Sequence, residues 1–345
     1  MTNITHRRGS VLGCANVFFD PKENRGGWRM MVKKSELSEE DIKHRYITPA
    51  IEGKWDKFQD LIRMEYRFTA GRVIVRGKSA QRAEAKKADY LLLYKPNYPL
   101  AVVEAKRNTF SVGSGIQQAI EYAEMLDVPF AYSSNGDAFL EHDMMTGKER
   151  EIPLDAFPTP EELWARFKEV KEFTPEQERI ISEPYHFALG GNTPRYYQQN
   201  AVNKTIEAIA CGQNRILLVM ATGTGKTYTA FQIIHRLWKA GVKKKILYLA
   251  DRNFLIDYTM QKDFKPFSKV ITKISGKVLD SSFEVYMSLY QQLAGEDNEE
   301  PFRQLKPEFF DLIVVDECHR GSAREDSRWR KILEYFKSAT QIGMT

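Results

Sequence analysis

The octet Met220-Ala221-Thr222-Gly223-Thr224-Gly225-Lys226-Thr227 stands directly after the apolar run Ile216–Val219 and before a stretch with helical periodicity. A buried strand, a glycine-bearing loop and a helix in that order leave few folds open. They predict an α/β unit with a mostly parallel sheet. Gly223 and Gly225 let the backbone curl so that several N–H groups face one anion, and Thr222 and Thr224 complete the curl. Lys226 is placed to reach the β- and γ-phosphates of a nucleotide. The Thr227 hydroxyl is placed to meet Mg²⁺, and the helix turns its positive end to the same anion. The competing reading is a Gly/Thr-rich turn with an incidental lysine. The octet departs from the usual pattern once, with Met220 where Gly is expected, at an entry position that does not cradle phosphate.

A second element supports the phosphate reading. Asp316-Glu317-Cys318-His319 follows the apolar run Leu312–Val315. In a parallel sheet Asp316 then emerges at the carboxyl end of its strand, beside the loop, where it can hold Mg²⁺ through water. Glu317 is suited to activating an attacking water. His319 senses the γ-phosphate or couples to the strand ending in Gly343-Met344-Thr345, or else is a satisfied core histidine. Upstream, Pro194-Arg195-Tyr196-Tyr197-Gln198-Gln199 offers Gln198, whose amide supplies both the donor and the acceptor that adenine needs, or else simply opens a polar helix. Arg252, after the strand at Lys245–Ala250, fits a nucleic-acid phosphate or a solvated surface. Strands at Ile216–Val219, Lys245–Leu249, Asp311–Val315 and Thr340–Gly343 alternate with helical stretches.

The first half of the chain has its own pattern. Ser38-Glu39-Glu40-Asp41 predicts a helix with Ser38 as its cap, an apolar stripe of Ile42, Tyr46 and Ile47, and an end or bend at Pro49. Phe68–Val75 reads as a strand with a turn at Gly71, followed by a basic segment, Arg76–Lys87. Apolar strands are expected at Ala88–Tyr94 and Leu100–Ala105, joined by a turn at Lys95–Pro99. Alternation puts Glu104 and Lys106 on one side of the second strand, and if the two strands pair, Asp89 lies alongside. Two carboxylates and a lysine there suit metal-dependent phosphodiester cleavage: Asp89 and Glu104 as Mg²⁺ ligands, Lys106 orienting water or stabilising charge. On its own this pattern fits equally well an exposed Asp and a surface Glu/Lys pair. The apolar runs favour the first reading, because charges at the ends of buried strands are costly unless used. Gln118 and Tyr122 share one face of the next helix (Gly115–Leu126) and could reach a phosphate or a metal-bound water. Glu39 could add a further acid, although the helix dipole alone accounts for it. A third strand is expected at Phe130–Ser133. Residues 141–192, with Pro153, Pro158, Pro160 and Pro175 among two charged helices at Glu161–Val170 and Pro175–Ser182, read as a connector ending at Gly190-Gly191-Asn192.

With 345 residues there is room for two or three domains, and 42% hydrophobic with 28% charged residues is an ordinary globular balance. No apolar run approaches the roughly 20 residues of a membrane span, so no membrane partner is expected. Cys14, Cys211 and Cys318 are too far apart for a CxxC metal site or a disulfide framework, which points to a reduced, cytoplasmic compartment. A net charge of +5 is compatible with a polyanion without requiring one.

The set Arg195-x-Tyr-Gln198, Ala221–Thr227, Leu249-Ala-Asp-Arg252, Asp316-Glu-Cys-His319 and Gly343-Met344-Thr345 resembles the opening motifs of superfamily 2 DNA helicases and translocases. Asp89, Glu104-Ala-Lys106 and Gln118-x-x-x-Tyr122 resemble the PD-(D/E)xK nuclease set with its Gln-x-x-x-Tyr element. Nuclease first and translocase second is similar to the restriction subunit of type I restriction-modification enzymes, over roughly residues 36–345. Glu39 and Thr146-Gly147-Lys148 also fit that family. The resemblance implies a leader (1–35), a PD-(D/E)xK nuclease domain (36–150), a connector (151–192) and a first RecA-like P-loop domain (193–345), with the family's second RecA-like domain absent from this chain. It implies ATP and Mg²⁺ as cofactors. Asp89 and Glu104 are then the metal ligands of the nuclease, and Thr227 and Asp316 those of the motor. Implied partners are double-stranded DNA and the methylation and specificity subunits. Two other readings compete: a stand-alone nuclease–helicase of repair or phage defence, and an ATP-switched DNA-binding scaffold without catalysis.

Overall fold

The structure, a computed structural model, describes residues 33–55, 60–69, 73–76, 79–82, 86–96, 98–187, 193–250, 253–274, 280–295, 300–318 and 330–345. Most of the expected leader lies outside the described residues, as do Gly71, Gly190-Gly191-Asn192, Arg252 and His319.

Ser38 and Asp41 cap the first helix reciprocally, each side chain meeting the other's backbone N–H. The helix runs as α1 (Glu39–Ile42), a wide π-helical segment at Lys43–Ile47, and α2 (Thr48–Glu52). Pro49 does not end it: it sits in the first turn of α2, just after the widened stretch.

Eight strands follow: β1 (Ile62–Thr69), β2 (Val73–Arg76), β3 (Ser79–Arg82), β4 (Lys86–Lys95), β5 (Tyr98–Ala105), β6 (Phe130–Ser134), β7 (Ala138–Asp143) and β8 (Glu149–Pro153). Apart from the small β2–β3 ribbon they form one sheet in the order β1-β4-β5-β6-β7-β8. Strand β5 is buried along its whole length. It pairs antiparallel with β4 and parallel with β6, the parallel step being closed by the crossover helix α3 (Ile116–Leu126). Ala119, Tyr122, Ala123 and Leu126, spaced three and four apart, put one stripe of α3 on the face made by Leu91, Val102 and Ala131. The opposite face is covered by Ile42, Ile47, Ile51 and Trp55 from the N-terminal helix region.

The same face also takes α4 (Pro160–Lys171), and here the expected connector looks different. The expected cut after residue 150 falls inside β8. In α4, Leu163, Trp164 and Phe167 are buried in the core of the first sheet, and the Trp164 indole stacks on Tyr94 at 4.5 Å. Pro160 and Pro175 are helix-starting residues behind Thr159 and Thr174 caps, so the prolines mark helix starts rather than slack chain. In α5 (Pro175–Ile181) the last two residues divide between cores: Ile181 packs on the first sheet and Ile180 on the second unit.

The second unit carries α6 (Tyr196–Ala210), β9 (Arg215–Leu218), α7 (Lys226–Lys239), β10 (Ile246–Ala250), α8 (Asn253–Gln261), β11 (Ile271–Lys273), β12 (Val285–Leu289), α9 (Tyr290–Ala294), β13 (Leu312–Val315) and β14 (Thr340–Met344). Its sheet runs β11-β12-β10-β13-β14-β9, and every pairing is parallel. Separate hydrophobic clusters cover its two faces, as an all-parallel sheet requires. The expected α/β class with a mostly parallel second sheet is the one observed. Strands β3, β7, β8, β11 and β12 were not expected from the sequence, and the strand expected at Phe68–Val75 falls on the end of β1, which starts at Ile62, and on β2.

Two candidate active sites

The register of β4 and β5 places Tyr90 opposite Val103, and so Asp89 beside Glu104. Asp89 is 8% exposed and Glu104 2%. The Ala105 N–H donates to Asp89 Oδ2 at 2.8 Å, which fixes that carboxylate across the strand pair. Glu104 is pushed up to about 8 by burial first and by the neighbouring Asp89 charge second, with the Lys106 ammonium pulling the other way. Lys106 Nζ stands 3.8 Å from Glu104 Oε2 and donates to Gln118 Oε1 at 3.2 Å. The Gln118 Nε2 donates in turn to Tyr122 OH at 3.0 Å. Five residues selected from the sequence, Asp89, Glu104, Lys106, Gln118 and Tyr122, therefore form one connected cluster. Two buried carboxyls that offer only oxygen ligands, one of them held neutral by burial and the other's charge until a cation arrives, are a set that suits a hard divalent cation such as Mg²⁺. Glu39 adds a smaller repulsion to Glu104 from α1.

Sequence reasoning missed the partner of Asp89. Lys43, at the head of the π segment and 4% exposed, reaches Asp89 Oδ1 at 3.1 Å, Glu65 Oε1 at 2.5 Å and Glu40 Oε1 at 2.6 Å. Burial disfavours its charge, yet the three carboxylates more than offset this and hold Lys43 above the ordinary lysine range. Glu65 lies opposite Asp89 in the β1–β4 register and takes φ 54°, a left-handed conformation unusual for Glu.

The second centre lies at the carboxyl ends of β9 and β13. Gly223 (φ 80°) and Gly225 (φ 86°) take left-handed backbone as the loop pattern requires, and Lys226 opens α7. Thr224 closes the loop on Ala221 through both its N–H (3.2 Å) and its hydroxyl (2.6 Å) to the Ala221 carbonyl. Lys226 Nζ pairs with Glu317 Oε1 at 3.0 Å. Asp316 is 8% exposed; its Oδ2 accepts from Tyr248 OH at 2.8 Å and its Oδ1 from the Glu317 N–H at 3.0 Å. Burial raises the Asp316 carboxyl above its ordinary range, and the Tyr248 hydrogen bond opposes that. Thr227 bonds to the same Tyr248 hydroxyl, so Thr227 and Asp316 meet at one buried phenol. Tyr248 was also missed; the signal was a lone hydroxyl within the apolar run Ile246–Ala250.

Gln198 is at the loop but already engaged. Its Nε2 donates to the Thr224 carbonyl at 2.8 Å and its Oε1 accepts from the Arg195 N–H at 2.8 Å. It braces the loop here, and recognition of adenine would require these bonds to open. Tyr197, Ala201, Leu218 and Val219 line a cavity of about 260 Å³ next to Gln198 and the loop.

The profile for the res subunit of type III restriction enzymes matches residues 192–345, the parallel-sheet unit. The endonuclease subunit of the type I restriction enzyme EcoAI from Escherichia coli is 53% identical over 317 residues, 90% of this chain and 39% of that protein. The endonuclease subunit of the EcoKI enzyme from Escherichia coli K12 is 27% identical, over 75% of this chain and 28% of its own length. A fragment assigned as the HsdR subunit of a type I restriction enzyme from Vibrio vulnificus YJ016 superposes with a TM-score of 0.74 at 41% identity. That match covers 90% of this chain and 55% of that one. The chain thus spans less than half the length of the curated relatives it matches. Over nine-tenths of its own length it is homologous to the endonuclease subunits of type I restriction enzymes. Among the described residues no helix is long and apolar enough to cross a membrane.

Proposed function

We propose that this chain supplies the nuclease centre and the nucleotide-binding half of the motor in a type I restriction endonuclease subunit, coupling ATP-driven movement along duplex DNA to cleavage. The observation that carries the reading is that one chain, homologous to such subunits, holds both clusters, each at the carboxyl end of a buried strand. In the first cluster Asp89 and Glu104 would hold Mg²⁺, which when bound polarises the phosphodiester and acidifies a water. Lys106 would place its ammonium against the charge that develops on phosphorus, held by Gln118 and, through it, by Tyr122. In the second, Lys226 would exchange Glu317 for the β- and γ-phosphates of ATP. Thr227 and Asp316 would hold the accompanying Mg²⁺, Glu317 would take the proton of the attacking water, and the curl from Thr222 to Gly225 would wrap the phosphates. Methylation and specificity subunits would be the partners, in the cytoplasm.

The deciding experiment is to place Asp89→Ala and Glu104→Ala in the complete subunit, assembled with its partners. Cleavage should disappear while DNA-stimulated ATP hydrolysis persists. Loss of both activities from a folded complex would overturn the assignment of separate centres.

A further inference from the structure

The environment of Lys43 is not explained by the residues proposed to catalyse. A buried ammonium is costly unless it is paired and its protons are hydrogen-bonded. Lys43 has three carboxylates within 3.1 Å, from Glu40, Glu65 and Asp89. Two local departures from regular backbone bring them together. The helix widens into a π segment that begins at Lys43 itself, a distortion that concentrates at functional sites. Glu65 adopts φ 54° within β1, and strain of that kind is kept where the surroundings enforce it. Cross-strand placement alone would set Glu65 and Asp89 against each other as like charges. The ammonium between them removes that conflict. Glu65 is further tied to Lys87 on the same side.

We propose that Lys43 is the resident cation of the Asp89/Glu104 centre. It neutralises the Asp89 oxygen that faces Glu65, so that the centre takes one divalent ion rather than two. This deepens the nuclease reading and rests on it. Lys43 is thus a positioning residue: it acts through Asp89, and its carboxylate cage is the place a second ion would otherwise fill.

The test counts ions. Mn²⁺ is titrated without nucleotide into the 345-residue protein, with calorimetry for stoichiometry and electron paramagnetic resonance for pairs of coupled ions. Wild type should bind one Mn²⁺ that Asp89→Asn abolishes, with no coupled pair. Lys43→Met should bind two coupled ions, and Lys43→Met with Glu65→Gln should return to one. A coupled pair in wild type overturns the proposal, and that result needs no variant to fold. A single ion in a Lys43→Met protein of native circular dichroism also overturns it, while leaving the nuclease reading intact. Absence of any Asp89-dependent ion in wild type would instead sink the nuclease reading itself.

Discussion

Replacing Glu317 by Gln should move nucleotide binding and hydrolysis in opposite directions. Lys226 and Glu317 are 10% and 16% exposed, and their 3.0 Å contact is poorly screened by water. A hydrogen bond to a charged group of this kind is worth about 1.5–3 kcal/mol net. On the proposed reading, ATP would have to break that bond before its phosphates could use the lysine. Gln keeps the shape and can still accept from the ammonium, so only part of the interaction is released, roughly 1–2 kcal/mol. At about 1.4 kcal/mol per tenfold, the variant should bind a non-hydrolysable ATP analogue with Mg²⁺ roughly 5–30-fold more tightly. Turnover should fall by about 10²–10⁴, the usual contribution of a general base. Fluorescence titration of a labelled analogue measures the first quantity and steady-state phosphate release the second. Lys226→Ala should abolish binding in the same assay. Unchanged or weaker binding by Glu317→Gln would refute the idea that Glu317 holds the lysine in reserve.

Three further outcomes follow from the geometry. Tyr248→Phe removes the hydroxyl shared by Asp316 and Thr227, so affinity for Mg²⁺-ATP should fall about 10–100-fold, the usual effect of losing a group that orients a metal ligand, and the loss should ease as pH rises; a pH-independent or absent change in calorimetry would contradict the role. In the complete subunit, Gln118→Ala should slow DNA cleavage more than Tyr122→Phe, because Gln118 touches Lys106 directly, and wild-type rates across a Mg²⁺ series for both would leave only packing roles. His235 is buried, its Nδ1 has no partner among the described residues, and it is pulled down to about 4 by burial, then by His186 and Lys239; its folded value lies below the unfolded one, so stability is lost as pH falls from about 6.5 towards 4, and between pH 8 and pH 5 this group costs on the order of 2 kcal/mol. His235→Leu should shrink that acid loss in urea unfolding, and an identical pH dependence would rule the group out.

What the sequence made legible was whatever depends on one strand or one loop. Alternation fixed the side of Glu104 and Lys106, and an apolar run followed by Asp located Asp316. Glycines at 223 and 225 announced a left-handed curl, which the backbone adopts. Illegible were the features set by tertiary contact. Lys43 reads as one more charge on an amphipathic helix until that helix is laid across β1 and β4. Glu65 carries no sign of its left-handed backbone, because Glu is not a residue that seeks it. Strand β8 was invisible for a different reason. Only Ile152 of Glu149–Pro153 is buried, and its neighbour β7 hides a charge, Glu141, that Arg150 and Arg166 neutralise at 2.7 and 2.9 Å. Hydrophobic periodicity cannot register a core position filled by an ion cluster.

The two centres are held on one framework, and α6 is its shared member. Near its start Tyr196 meets Phe68 of β1 at 6.0 Å, and Phe68 meets Tyr122 of the Asp89 cluster at 5.1 Å. The next residue, Tyr197, donates to the Thr224 carbonyl of the phosphate loop at 3.3 Å. Further along, Asn200 donates to the Met125 carbonyl at the end of α3, and Lys204 pairs with Asp127. The phosphate-loop helix completes the bracing: Arg236 donates to the Ile181 carbonyl at 2.6 Å and Gln232 bonds both backbone groups of His186. Contiguity of this kind is not by itself energetic coupling, which needs an element with two arrangements. It does restrict where such an element can be. On the proposed reading, a change in the Ala221–Lys226 loop on binding ATP would act first on Tyr197 and Gln198, which sit on the same helix turn as the aromatic contact to Phe68. The first turn of α6 is thus one route between the two clusters, beside the contacts of Asn200, Lys204 and Arg236.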